Sequence, residues 1–486
     1  MQQCADERPI VVIGGGIAGM AAASTLCNAG YAVTLLERKD RLGGVIETVD
    51  DGPYRLEMGP FSYLPKAALL PQLAAMWGVA GALCEADPAV ARNRFVLKGT
   101  TIHRLPLGPK DFLRSPLLRV HEKLRLLLEP WAKGPPPEEE TIAAFVQRRA
   151  GRGVLENLIQ PFVSGVVAGD AGQLSVSALF PRFVELERAH GSLLRAFQRL
   201  RGSMARSTLF SFRGGMETLA RGFVATTRAH VVTGADVLAL RPRPDGVTVV
   251  WRDASGEQIA DARAAVLAPP APAAATLLRP LAPAAAALLQ SIPYAPLVMM
   301  HTVVDHDQLT SAVRGFGFLA TRGSAPPLLG SIWASSIFPE RAPPDEVLMT
   351  WFAGGMLYPE AIAWEDHRLQ RAVRDVAVRT LGMRGDVRRW WIRRYPQAIP
   401  QYFLGHRARI AQIEASVRAL GPMALAGNYL TGVSVDDAAQ SGVHAAAAVM
   451  QVLEPIAQSK TGRRVLSRDQ VGPAAYPTND PRVARR

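Results

Sequence analysis

Cysteine is nearly absent from this chain: Cys4, Cys27 and Cys84 are the only three in 486 residues, and no two stand in Cys-x-x-Cys spacing. That excludes a disulfide framework and a zinc ribbon, and it fits a reducing compartment. None of the nine histidines is spaced His-x-x-x-His or His-Glu-x-x-His, so no metal is expected. The N-terminal MQQCADERPI lacks the basic start of a secretory signal, and a cytoplasmic location is expected. Apolar runs such as AAAALLQSIPYAPLVMM are broken by proline and polar residues before they reach the length of a membrane span. Acidic residues are also short, 42 against 55 Lys and Arg, for a net charge of +13. Part of the excess lies beyond Ser459, in a polar basic tail expected to be disordered. The remainder favours anionic small molecules, and no nucleic-acid partner is expected.

What is present begins with IVVIGGGIAG, an apolar strand running into Gly14-x-Gly16-x-x-Gly19. The small-residue helix MAAASTLCNAG and a second apolar strand, YAVTLLE, complete a βαβ unit that ends in Glu37. Gly14 permits the turn, Gly16 lets backbone meet a pyrophosphate, and Gly19 lets helix and strand pack. Gly15, Ile17 and Ala18 supply the N–H groups of the helix start, and Glu37 faces a ribose. Directly afterwards RKDRLGGVIET brings Arg38, Arg41, Gly43, Gly44 and Val45. A second glycine pair at this point is typical of flavoproteins that hold FAD, and a simple nicotinamide dehydrogenase does not need it. Near the C-terminus, MALAGNYLTGVSVDDAAQSGVHAAAAVM is a further strand–turn–helix, with Gly427, Gly432, Val433, Ser434 and Val435 in the turn. Either that helix start holds the flavin pyrimidine oxygens, or it is an ordinary closing helix. No second Gly-x-Gly-x-x-Gly follows a strand, so a bound flavin would pass its electrons to oxygen or another acceptor directly.

The fold class expected is α/β, a Rossmann-type FAD-binding domain assembled from separated segments, with a mixed α+β substrate domain and a helical insertion. Its FAD-binding segments are residues 8–92, 204–290 and 401–457. A largely helical insertion, facing substrate or membrane, covers 93–203, a substrate domain covers 291–400, and the tail is 458–486. Within 204–290 alternating strands joined by DG and SG turns form an antiparallel meander that includes Val237. In the insertion, DFLRSPLLRVHEKLRLLLEPWAKG has leucines at helical spacing opposite basic residues. That face either meets a membrane surface or packs on its own domain. PFVSGVVAGDAGQLS (161–175), with Gly165, Gly169 and Gly172, is too glycine-rich for a comfortable helix.

From residue 10 to 455 the sequence resembles the oxygen-dependent protoporphyrinogen oxidases of the amine-oxidase-like FAD superfamily. FVQRRAGRGVLENLIQPFVSGVVAGDAGQLSVSALFPRFVELERAHGSLL, AIPQYFLGH and LAGNYLTGVSVDDAAQSG are similar to family signatures in the right order. EMGPFSYLP resembles the turn beside the flavin and assigns Gly59, Pro60, Phe61 and Ser62 to the cofactor. Two positions depart in detail, Ala168 and Phe61, and neither is disabling. Position by position, the resemblance implies that Arg94 meets a substrate propionate. It also implies that Leu319, Ile332 and Phe352 wall a tetrapyrrole, and that Gly165 touches it through backbone. Read from chemistry alone, Arg94 is either a carboxylate contact or a surface arginine, and the three apolar residues are either a pocket wall or plain core. The activity implied is six-electron oxidation of protoporphyrinogen IX, with hydride passing to non-covalent FAD and O2 returning as H2O2. Coproporphyrinogen III oxidation is the alternative. The resemblance also implies dimers and a loose peripheral membrane association, and no side chain reads as an obligate general base.

Overall fold

A computed structural model describes residues 7–64, 69–136, 138–199, 209–311 and 313–453. The expected tail and Cys4 lie outside the described residues. A five-stranded parallel sheet sits at one end, in the order Met423–Leu425, Ala264–Leu267, Ile10–Ile13, Val33–Glu37, His230–Thr233. Four stretches of chain far apart in sequence therefore build one sheet, as a segmented Rossmann domain requires. Its central strand is buried at all four positions, which is why it reads as a continuous apolar run rather than an alternating one.

Two helices lie together on that sheet, Ile17–Asn28 and Val435–Leu453. Their alanine-rich faces allow close approach, and at one point only glycine is tolerated. A Cβ on Gly442 would stand 1.9 Å from the Ala18 carbonyl oxygen. The C-terminal helix is thereby locked to the helix that opens at the nucleotide turn. On the opposite face, the meander Asp236–Arg243, Gly246–Asp253, Gly256–Ala262 contributes Leu240, Val247 and Val249 to a second core.

The region expected to bind substrate carries a seven-stranded sheet ordered Arg389–Pro400, Tyr294–Asp305, Glu346–Gly354, Leu328–Ile332, Gly317–Ala320, Arg94–Lys98, Thr101–Arg104. The last two strands come from the stretch expected to be largely helical, so the insertion proper starts after Arg104. Helix Asp366–Leu381 covers one face of this sheet with Leu369, Val373, Val376 and Ala377. The other face turns toward the nucleotide-binding domain, because Tyr395 on that face donates to the Met58 carbonyl.

One expectation is corrected in part: the first half of the glycine-rich stretch, up to Val167 and including Gly165, does form a helix, which follows a π-helical turn at Leu155–Ile159 and ends at Ala168 with φ +52°, while Gly169 and Gly172 lie outside it. Its last carbonyls are answered from outside: Gln401 Nε2 donates to Val167 O at 2.8 Å and Met356 N to Ala168 O at 2.7 Å. Tertiary partners thus supply what propensity lacks. In the insertion, Phe112, Leu118 and Leu126 pack inward, whereas Leu113, Val120, Leu124, Leu127, Leu128 and Trp131 are all more than half exposed. Neither reading of that apolar face covers all of it. No helix among the described residues is long and apolar enough to cross a membrane.

Candidate functional site

The nucleotide turn is built as the glycine spacing demands, and each glycine answers to a different neighbour. A Cβ on Gly19 would lie 1.8 Å from Gly14 O, and one on Gly15 would lie 2.4 Å from Leu42 Cδ2. Gly14 itself has φ +101°. Gly16 differs from these: its added Cβ would meet nothing nearer than Gly44 Cα, at 4.0 Å. Its side-chain position is open, at the start of helix Ile17–Asn28, where unpaired N–H groups and the helix dipole favour phosphate. An open position on a strand–helix turn otherwise packed to the backbone fits a pyrophosphate cradle.

Glu37 is buried beside this turn, accepting from Gly15 N at 2.6 Å and Lys39 N at 2.8 Å. Its main-chain oxygen accepts from Ala235 N, which brings Val237 to the same end. The second glycine pair is held against the first, with Gly43 N donating to Gly15 O at 2.8 Å. Arg41 is committed to this loop: it donates to Leu42 O, Ile46 O and Gly44 O and pairs with Glu47 at 2.6 Å. Arg38 and Val45 are exposed. At Gly59 a Cβ would lie 1.9 Å from Val45 O, so the turn Gly59–Ser62 is pressed onto the same loop. The Phe61 ring instead packs into the core on Phe338, at 5.4 Å between centroids, leaving only its backbone for a ligand. At the C-terminal turn Ser434 caps the last helix reciprocally with Asp437, and Val433 packs among the side chains around the Gly165 helix. Glu37, Gly16, Gly43, Gly59 and Gly432–Val435 thus lie on segments that pack together, as residues that would hold FAD require.

The residues expected to wall a substrate are singled out by burial. In Gly317–Ala320 only Leu319 is not fully buried, in Leu328–Ile332 only Ile332, and in Glu346–Gly354 only Phe352. Register places them together: Leu319 and Phe352 both pair with Gly330, while Ile332 pairs with Gly317 and Thr350. Partners across a sheet, and residues two apart along a strand, share a face. All three side chains therefore stand on the face toward the nucleotide-binding domain, separated by glycines. Gly317 also pairs with Arg94, so the cation joins the same row. Its guanidinium lies 4.9 Å over the Phe316 ring, and no carboxylate among the described residues pairs with it. Gly165 closes the wall, since a Cβ there would stand 2.1 Å from Leu319 Cδ2. The helix can lie on Leu319 only because that position is bare.

Sequence reasoning missed the braces between the two domains. Arg341, fully buried, pairs with Glu57 at 2.6 Å and donates to Ser211 Oγ; Arg393 pairs with Glu47 at 2.8 Å. His301, on the wall's face beside Thr350, is buried and pushed down to about 4, so it is neutral near pH 7. No group of three or more metal-ligating side chains is found among the described residues.

The open position at Gly16 gives a paired prediction. Gly16→Ala should cost the protein fold less than about 1 kcal/mol yet weaken FAD binding at least about tenfold. Gly19→Ala should instead destabilise the domain by several kcal/mol, on the order of other overpacked cores. Thermal melts and FAD titration of the flavin-stripped proteins distinguish the two.

Residues 17–450 match the family of flavin-containing amine oxidoreductases. The chain is 30% identical over 463 residues to the chloroplastic protoporphyrinogen oxidase of Nicotiana tabacum, covering 89% of this chain and 83% of that protein. It is 26% identical to the coproporphyrinogen III oxidase of Bacillus subtilis, covering 88% and 94%. Among solved structures, an Exiguobacterium protein provisionally assigned as a protoporphyrinogen oxidase superposes with TM-score 0.79 at 25% identity, covering 92% and 99%. Cyclohexylamine oxidase from Brevibacterium oxydans shares the fold, with TM-score 0.67 at 19% identity over 92% and 99%. FAD is the cofactor that this family and this cradle have in common. The chain belongs to the flavin-containing amine oxidoreductases, within their group of protoporphyrinogen oxidase homologues.

Proposed function

We propose that this protein oxidises protoporphyrinogen IX to protoporphyrin IX, removing six electrons in three two-electron steps with O2 as final acceptor. One observation carries the reading. Three otherwise buried strands leave a single residue each incompletely covered, and those three, Leu319, Ile332 and Phe352, form one wall with Arg94 at its end. Such a wall suits a wide apolar macrocycle with carboxylates on one rim.

Bound FAD would supply the hydride acceptor and, once reduced, the reaction with oxygen. The chain's own part is positioning. Leu319, Ile332 and Phe352 hold the macrocycle flat, and Arg94 takes a propionate and sets which edge points inward. The Gly165 helix limits rotation from the other side. No side chain is assigned the role of base: of the three protons released, two come from pyrrole nitrogens and one from a meso carbon as the ring tautomerises. His301, buried and neutral beneath the wall, is not offered that role.

Coproporphyrinogen III, with four propionates, is the second reading, favoured by the similarity to the Bacillus subtilis enzyme. Against it, the next arginine along the strand from Leu319 is already occupied: Arg322 pairs with Asp170 at 2.7 Å. Among the described residues Arg94, on the row of Leu319, has no carboxylate partner, which suits the substrate with fewer carboxylates. Aerobic fluorescence assays with both porphyrinogens side by side test this. A higher kcat/KM for protoporphyrinogen IX, with three peroxides formed per porphyrin, is the expected result. Preference for coproporphyrinogen III would transfer the assignment to that substrate, and no porphyrin from either would overturn both.

A further inference from the structure

Residues 401–406 open the third FAD-binding segment and touch both halves of the site. Gln401 is fully buried. Its Nε2 donates to Val167 O at 2.8 Å and to Ile399 O at 3.1 Å, answering the end of the Gly165 helix. The Tyr402 main chain continues the contact, its carbonyl accepting from Ser175 N at 2.8 Å. Its side chain runs the other way, the hydroxyl donating to Asn428 O at 2.5 Å. The Gly432 N–H also bears on that hydroxyl, so one phenol spans the loop from Asn428 to Gly432. His406 stacks flat on the Tyr402 ring, 4.0 Å between centroids at 9°, and its Nε2 meets Tyr429 O at 2.9 Å. From the last helix, Ser441 Oγ accepts from Gly427 N at 2.8 Å. Three successive loop residues, Gly427, Asn428 and Tyr429, are therefore each tied down by a side chain, two of them from this segment.

We infer that Gln401, Tyr402 and His406 are positioning residues that fix the flavin-facing loop 427–432 relative to the Gly165 helix, so that one strap sets the cofactor edge and the substrate wall together. Burial holds the Tyr402 phenol protonated and the His406 imidazole neutral, at about 4, so both keep their donor protons through the neutral range. A buried hydroxyl whose only partners are loop backbone acts on geometry, and loss of its bond leaves Asn428 O without that donor. Either end of the strap would then displace the other, since Gln401 and Tyr402 are adjacent in a segment hydrogen-bonded on both sides.

The inference rests on the proposed reading of the loop as the flavin's and of the helix as the substrate's. It is tested in the FAD-loaded full chain with Tyr402→Phe, Gln401→Leu and the double variant. The readouts are the visible flavin spectrum, the flavin reduction potential, and the anaerobic rate of flavin reduction by protoporphyrinogen IX. Each single variant should shift the spectrum and potential while keeping wild-type FAD content. Each should also slow reduction about tenfold, and the double variant should be no slower than either alone, because the residues act as one unit. His406→Gln, which can keep an amide donor toward Tyr429 O, should stay near wild type. An unchanged spectrum and potential in Gln401→Leu, or a double variant slower by the product of the two singles, would overturn the strap. If wild-type protein does not oxidise the porphyrinogen, the function assigned above fails, while the spectrum and potential still decide this inference.

Discussion

Replacing Arg149 with methionine is expected to destabilise the protein by about 3–5 kcal/mol, the usual effect of breaking a buried ion pair from one side. Arg149 is 1% exposed and lies among Glu129, at 2%, and Glu187, at 1%. It pairs with both carboxylates and donates to Gly191 O at 2.8 Å. Glu129 also accepts from Ser192 Oγ, Leu193 N and Leu194 N, and these bonds hold its carboxyl below the usual range despite burial. Neighbouring Arg148 joins Glu187 at 2.6 Å and Glu140 at 2.5 Å. Two arginines thus serve three buried or half-buried carboxylates, and removing Arg149 leaves Glu129 without its arginine where water cannot replace it, while Glu187 keeps only Arg148. The cluster ties the turn before Trp131, helix Ile142–Ala150 and helix Pro181–His190 into one unit. Limited proteolysis of Arg149→Met should therefore cut first within residues 105–199, with FAD content unchanged because the nucleotide core lies elsewhere. Adding Glu129→Gln should recover part of the loss. A change below 1 kcal/mol in denaturant titration would show that the cluster is not what holds the insertion.

How much of this was legible beforehand depended on how far apart the partners lie in the chain. The nucleotide turn could be read whole, because Gly14, Gly15, Gly16, Gly19 and Glu37 act within one βαβ unit and each spacing has one structural meaning. Gly442 looked like any small residue in an alanine-rich helix. Its reason is the carbonyl of Ala18, visible only once both helices are placed. The pair Arg341–Glu57 spans 284 residues and carries no local signature. The helical half of the 161–175 stretch is missed because the glycine content reports propensity, whereas Gln401, Met356 and Leu319 decide the outcome from distant segments. The wall shows the same limit. Leu319, Ile332 and Phe352 sit in strands covered on both faces, so no alternation marks them, and only register and burial separate them from core neighbours such as Phe318 and Trp351. The family resemblance had pointed to those positions, and the register explains how they come to share a face.

The second large effect is expected at Arg94, where alanine should lower kcat/KM for protoporphyrinogen IX about a hundredfold, the equivalent of roughly 2–3 kcal/mol for a charge-assisted contact. Most of the loss should appear in KM. A propionate is remote from the carbon that loses hydride, so its contact contributes similarly to bound substrate and transition state. Arg94→Lys should fall between, since it keeps the charge but not the planar fork that grips a carboxylate in two places. Stability should barely move. Arg94 is exposed, rests on Phe316 and neutralises no acid, so its removal orphans nothing. The dimethyl ester of the same porphyrinogen gives the sharper test, because it presents the same macrocycle without the anions. Wild type and Arg94→Ala should oxidise the ester with similar kcat/KM if the guanidinium serves the carboxylate. If the variant is as impaired on the ester as on the acid, Arg94 acts by shaping the wall through Phe316. Arg94 would then cease to be an argument about which porphyrinogen fits.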